Sequence, residues 1–323
     1  MIAPIMLFSL LLQTMAITTP IFLLVMCGYG LRRVGLIDDH FIGMASRLVF
    51  NFTLPVLLFI SIATRPLTYG VTLQGALVGL LVTVIMWLLM EALATRMVQP
   101  RSDRGVVVMG GFRSNLGIVG LAYVFNAHGE DGIAQVAMYL ALVTILFNVL
   151  SVITLSRKQT DNISVLDTLK GIAKNPLIIA IVLAAVWSML GSTIGLQLPQ
   201  VALTTGQYFA AMTLPLALLC AGGSLSFKAL KDDMDKVWLA TLAKLLVAPV
   251  LTALVAYGFG LRGVALELLV LMACAPTAAA SYPMVRAMGG NAKLVASIIA
   301  VTTLLSFAST ALIVSVLRSI SAV

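Results

Sequence analysis

The chain has 323 residues, of which 61% are hydrophobic and only 10% charged, with a mean hydropathy of +1.09. A soluble domain carries about 25% charged residues, so lipid has to act as solvent for much of this surface, and a soluble enzyme or binding module is excluded. The net charge of +8 comes from basic residues scattered over short loops rather than gathered on one face, which argues against nucleic acid as a partner.

Apolar runs of about twenty residues recur along the chain with short breaks, at about 5–31, 41–63, 70–95, 105–127, 133–155, 174–194, 203–225, 237–259, 264–287 and 293–317. The expected fold is an all-α membrane protein of ten transmembrane helices. The first run lacks the positive n-region of a signal peptide and is too long for one, so it is expected to be a spanning helix. Cys27, Cys220 and Cys274 all fall in apolar runs and are expected to be buried thiols. The longest polar stretch lies mid-chain. It gives the expected organisation: a first five-helix repeat over 1–156, a cytoplasmic linker over 157–174 and a second five-helix repeat over 175–323.

Loop charges support that count. With the N-terminus outside, fifteen Lys and Arg fall in inside loops, against Arg65, Arg262 and Arg318 outside. This bias predicts a multi-pass protein of the cell inner (plasma) membrane with both termini non-cytoplasmic. Arg113 and Lys244 are left within spans.

Punctuation repeats at an offset of about 160 residues. Thr53-Leu54-Pro55 matches Thr213-Leu214-Pro215, Arg104-Gly105-Val106 matches Arg262-Gly263-Val264, and Gly129 matches Gly290. Five helices per half put the second copy in from the opposite side, so the repeat is inverted, as in secondary transporters. Substrate in such folds lies near the midplane, where helices are broken. The fourth span carries Gly110-Gly111-Phe112-Arg113-Ser114-Asn115-Leu116-Gly117, and the ninth carries Ala275-Pro276-Thr277. The offset places Asn115 opposite Pro276.

An arginine at this depth, about 13 Å into its helix, costs roughly 2.5–3.5 kcal/mol unless it faces water or a partner. Arg113 is therefore expected to meet an anion, together with Ser114, Asn115, Gly117, Pro276 and Thr277. Pro55 and Pro215, with Asn51 and Thr213 close before them, are expected to break the second and seventh spans and to add to the site. Lys244 lies near the inner face and is expected to snorkel. No Asp lies within a span, and His40 and His128 sit at loops. Coupling is therefore expected to be absent or to use sodium held by carbonyls and hydroxyls.

The segments Asn51-Phe52-Thr53-Leu54-Pro55, Gly111-Phe112-Arg113-Ser114-Asn115-Leu116-Gly117, Leu214-Pro215-Leu216-Ala217 with Gly222-Gly223-Ser224-Leu225, and Ala275-Pro276-Thr277-Ala278 resemble the auxin efflux carrier family of permeases. The resemblance spans nearly the whole chain. It implies broken, crossing helices four and nine, a scaffold of helices 1, 2, 6 and 7, and a transporter part of helices 3–5 and 8–10 that moves like an elevator. It also implies a small organic anion as substrate, a mono- or dicarboxylate such as malate or malonate. The short linker resembles that of the compact bacterial branch. Auxin-carrying plant members place an asparagine in helix nine, where this chain has Thr277.

The expected partners are the organic anion and the lipid bilayer, with a homodimer left open. No cofactor and no metal are expected, and the chain is expected not to be an enzyme. An intramembrane hydrolase needs a Ser/His pair, two Asp or a His-Glu metal motif in its spans, and none stands there. Two other readings stand beside this one. A sodium-coupled bile-acid-type symporter needs more polar midplane ligands, and a non-transporting sensor would bind without counterflow.

Overall fold

The computed structural model describes residues 2–64, 69–156, 176–194, 197–225 and 233–321. The linker expected over 157–174 lies outside the described residues. All regular structure among them is helical: α1 (Ile2–Arg33), α2 (Asp39–Ala63), α3 (Tyr69–Met97), α4 (Arg104–Phe112), α5 (116–128), α6 (130–156), α7 (Pro176–Ile194), α8 (Gln200–Gly223), α9 (Met234–Gly258), α10 (Gly263–Ala273), α11 (Ser281–Ala287) and α12 (Ala292–Ser321). Seven stretches are long and apolar enough to cross a membrane, and Pro176–Gly191 and Gly263–Ala273 are shorter apolar helices. One of the seven, Leu116–Leu155, joins α5 to α6 through Gly129, whose φ of 61° and ψ of −152° are not helical. Only glycine reaches that conformation without strain.

Prolines shape the spans in a way their positions alone do not reveal. Pro55 and Pro215 were expected to break their helices, and neither does. A π turn at Val49–Thr53 precedes Pro55, with Leu54 N bonding Val49 O across five residues. The wider turn takes up the missing donor and the ring's clash with the preceding carbonyl. A second π turn at Ala243–Val247 precedes Pro249 in the same way. Pro215 sits inside an uninterrupted α8, held by packing against α1 and α2.

The helices pack in two neighbourhoods. α1 lies on α8, and α2 on α7 and α8; α3 lies on α4 and α6, and α9 on α3, α4, α10 and α12. α1 also packs along α12. α1 and α8 meet at backbone distance: a Cβ on Gly28 would stand 2.1 Å from Leu219 O, and one on Gly222 1.8 Å from Val25 O. Small residues let transmembrane helices approach in this way.

Ion pairs fasten the ends of the broken helices. Asp103, just before α4, accepts from Lys236 of α9 at 2.7 Å and from Asn291 before α12 at 3.3 Å, and Asp233 also meets Lys236 at 2.6 Å. Glu267 of α10 meets Arg318 of α12 at 2.6 Å, with His128 Nε2 3.4 Å away. Cys220 and Cys274 are buried free thiols; Cys27, expected to be buried, is exposed. On a lipid-facing helix an apolar run buries only one side, and Cys27 stands on the other.

Candidate functional site

α4 ends at Phe112, and α5 opens at Leu116 with a π turn. α10 ends at Ala273, and α11 starts at Ser281. Glycines and Pro276 give these stretches few reasons to stay helical, and their freed backbone groups find each other. Asn115 N donates to Pro276 O at 2.7 Å and Ala278 N to Arg113 O at 3.1 Å, an antiparallel bridge centred on Ser114 and Thr277. Bonds of this kind satisfy groups that lipid cannot. Five of the predicted site residues, Arg113, Ser114, Asn115, Pro276 and Thr277, thus come together, all buried.

Their side chains do different things. Thr277 is wholly buried and fully engaged: its hydroxyl donates to Gly110 O at 2.6 Å, and its amide donates to Thr302 Oγ1 at 3.2 Å. Arg113 points its guanidinium at α6, donating to Ser151 Oγ at 2.9 Å, Asn148 Oδ1 at 2.8 Å and Phe147 O at 3.4 Å, with Met284 of α11 alongside. Ser114 and Asn115 differ. They are 7% and 8% exposed, and their side chains make no hydrogen bond among the described residues. Neither polar group is sealed off without a partner, as the Thr53 and Ser281 hydroxyls are, so an idle amide and hydroxyl at the crossing stay open to a ligand. The amides of Leu116, Gly117 and Ile118, the first turn of α5, likewise have no partner among the described residues.

Gly117 faces α2, where a Cβ would meet Leu54 at 3.6 Å and Phe50 at 3.7 Å. The α2 π turn therefore lies against the start of α5. The remaining predicted residues are spread out. Asn51 is exposed, Pro55 half-buried and Thr213 buried with its hydroxyl on Phe209 O at 3.0 Å. Pro215 lines a cavity of about 200 Å³ between α1, α2, α5 and α8, with Ile21, Leu24, Leu57, Phe125 and Asn126.

Two features escape a reading of residue types. The partners of Arg113 on α6 sit among many apolar neighbours, with nothing in their spacing to mark them. Lys244 was expected to snorkel; instead it is 1% exposed and donates to Ala273 O at 3.2 Å. The π turn at Ala243–Val247 changes the helix phase and carries the side chain inward.

Residues 14–314 match the family described as membrane transport protein. An uncharacterized transporter of Methanothermobacter thermautotrophicus is 23% identical over 296 residues, covering 90% of this chain and 93% of that protein. An uncharacterized transporter of Methanocaldococcus jannaschii is 22% identical over 293 residues, with 88% and 93% covered. With its long apolar helices and paired breaks, the chain is a multi-pass membrane protein and belongs to the membrane transport protein family, the auxin efflux carriers.

Proposed function

We propose that the chain is a secondary transporter of small organic anions, mono- or dicarboxylates such as malate or malonate, working by elevator-type alternating access. The observation that carries this reading is the pair of unpartnered side chains, Ser114 and Asn115, beside the open amides of the α5 N-terminus. A helix N-terminus with free N–H groups is an anion site, and Asn115 adds a neutral donor. Pro276 and Thr277 hold the crossing in place. The cavity between α1, α2 and α8 on one side and α5 on the other supports a path between a scaffold and a moving part. Separating α5 from α6 at Gly129, joining α4 to α5 and α10 to α11 as broken spans, and counting the shorter α7 as a span supports ten spans in two inverted repeats. The loop charges support termini outside the cytoplasm, and reporter fusions within 157–174 and at Val323 should report opposite sides.

In proteoliposomes loaded with unlabelled malonate or malate, labelled substrate is expected to accumulate by counterflow. Binding without counterflow would mean a sensor. Uptake that required sodium would favour the bile-acid-type symporter.

Arg113 has a positioning role in this reading. Arg113→Gln removes hydrogen bonds from a charged donor, each about 1.5–3 kcal/mol, to Ser151 and Asn148. A melting curve is expected to fall, while calorimetric titration shows affinity per folded molecule nearly unchanged. A tenfold loss of affinity at unchanged stability would return Arg113 to the ligand.

A further inference from the structure

Lys244 lies in the α9 π turn, almost wholly buried. Its ammonium meets no carboxylate among the described residues, and it donates to the carbonyl of Ala273, the last residue of α10. A helix C-terminus leaves four carbonyls without helical partners. At α10 the chain's own turn meets two of them, with Cys274 N on Val270 O at 2.9 Å and Ala275 N on Met272 O at 3.3 Å. The lysine meets a third. Among the described residues the corresponding end of α4 is met by neutral donors only, Arg113 N on Met109 O at 3.0 Å and the Thr277 hydroxyl on Gly110 O at 2.6 Å. One half-helix thus ends on a cation and the other on a hydroxyl.

That end carries roughly −0.5 of an elementary charge. In transporters with broken helices such ends, with freed carbonyls, hold the coupling sodium ion or proton. A buried ammonium without a counter-charge is costly, so it persists only where an opposite charge meets it, here the partial negative end of α10, which without the lysine would itself be buried and unmet. We propose that Lys244 is the built-in cation of this carrier, a tethered ammonium standing where a dissociable sodium ion would otherwise sit. It neutralises the end of α10 and keeps a positive potential behind the crossing of Asn115 and Pro276. Its consequence for transport, sodium-independent movement of an anion, rests on the reading of the crossing as a substrate site. Its consequence for the fold does not.

The test uses the purified full chain in detergent. Wild type is expected to melt at the same temperature in sodium chloride and in choline chloride. Lys244→Ala should melt lower and recover in part with n-propylammonium, the fragment that the substitution removes, but not with choline. Lys244→Met, which fills the space without charge, should melt lower than wild type and gain nothing from n-propylammonium. Where Lys244→Ala gives no folded protein, the methionine variant and the wild-type salt comparison carry the test. A wild type stabilised by sodium over choline, a methionine variant as stable as wild type, or a folded alanine variant blind to n-propylammonium would each overturn the proposal. Failure of malonate and malate counterflow with the expected melting pattern intact would instead end the organic-anion reading and leave Lys244 as the built-in cation.

Discussion

Asn115→Ala is expected to weaken carboxylate binding ten- to hundredfold while leaving the melting temperature close to wild type. The two halves of that expectation come from the same geometry. The Asn115 side chain bonds nothing among the described residues, so its removal breaks no internal contact. The backbone bond from Asn115 N to Pro276 O, which holds the breaks together, does not need the side chain. The loss falls on the ligand: one hydrogen bond to a charged group contributes about 1.5–3 kcal/mol, and each 1.4 kcal/mol is tenfold in affinity. Asn115→Asp is sharper. It places a negative charge beside the α5 N-terminus, where it competes with an anion for the same amides, and binding is expected to be lost. Titration with malate and malonate measures both variants. Asn115→Ala that bound as wild type, or Asn115→Asp that bound more tightly, would remove the crossing as an anion site.

The sequence reveals those breaks because their causes are local. Pro276 lacks an amide hydrogen, glycines crowd the fourth span, and a repeat offset near 160 residues puts Asn115 opposite Pro276, the residue to which it bonds. Side-chain directions are less legible, because they depend on helix phase, and π turns shift that phase. Lys244 lies near a span end by count, yet the turn at Ala243–Val247 swings it to the end of α10. The same kind of turn at Val49–Thr53 absorbs Pro55, so a residue type that predicts a break leaves a continuous helix. Arg113 stands at a break as its sequence position suggests, and its guanidinium bonds Ser151 and Asn148 on α6. Nothing in the spacing of those residues connects them to it.

Contacts between distant helices are the least legible of all, and one pair sets the largest stability effect expected here. Gly222→Ala should lower the melting temperature sharply, or prevent folding, and Gly28→Ala should do much the same. A Cβ on Gly222 would stand 1.8 Å from Val25 O and one on Gly28 2.1 Å from Leu219 O, so each helix presents a glycine to the other's backbone. Ordinary overpacking costs about 1–3 kcal/mol because side chains rotate out of the way. A carbonyl oxygen inside a helix has no such freedom, so α1 and α8 would have to move apart along their length. That separation forfeits dispersion contacts, the main attraction between helices where lipid is the solvent. The cost should therefore exceed the ordinary range. Gly30→Ala and Gly43→Ala are the controls, since a Cβ at either meets nothing within 4 Å and both sit in helices, where alanine is favoured over glycine by up to about 1 kcal/mol. Melting curves in one detergent rank the four variants, and Gly222→Ala as stable as Gly30→Ala would show that α1 and α8 do not meet at their glycines.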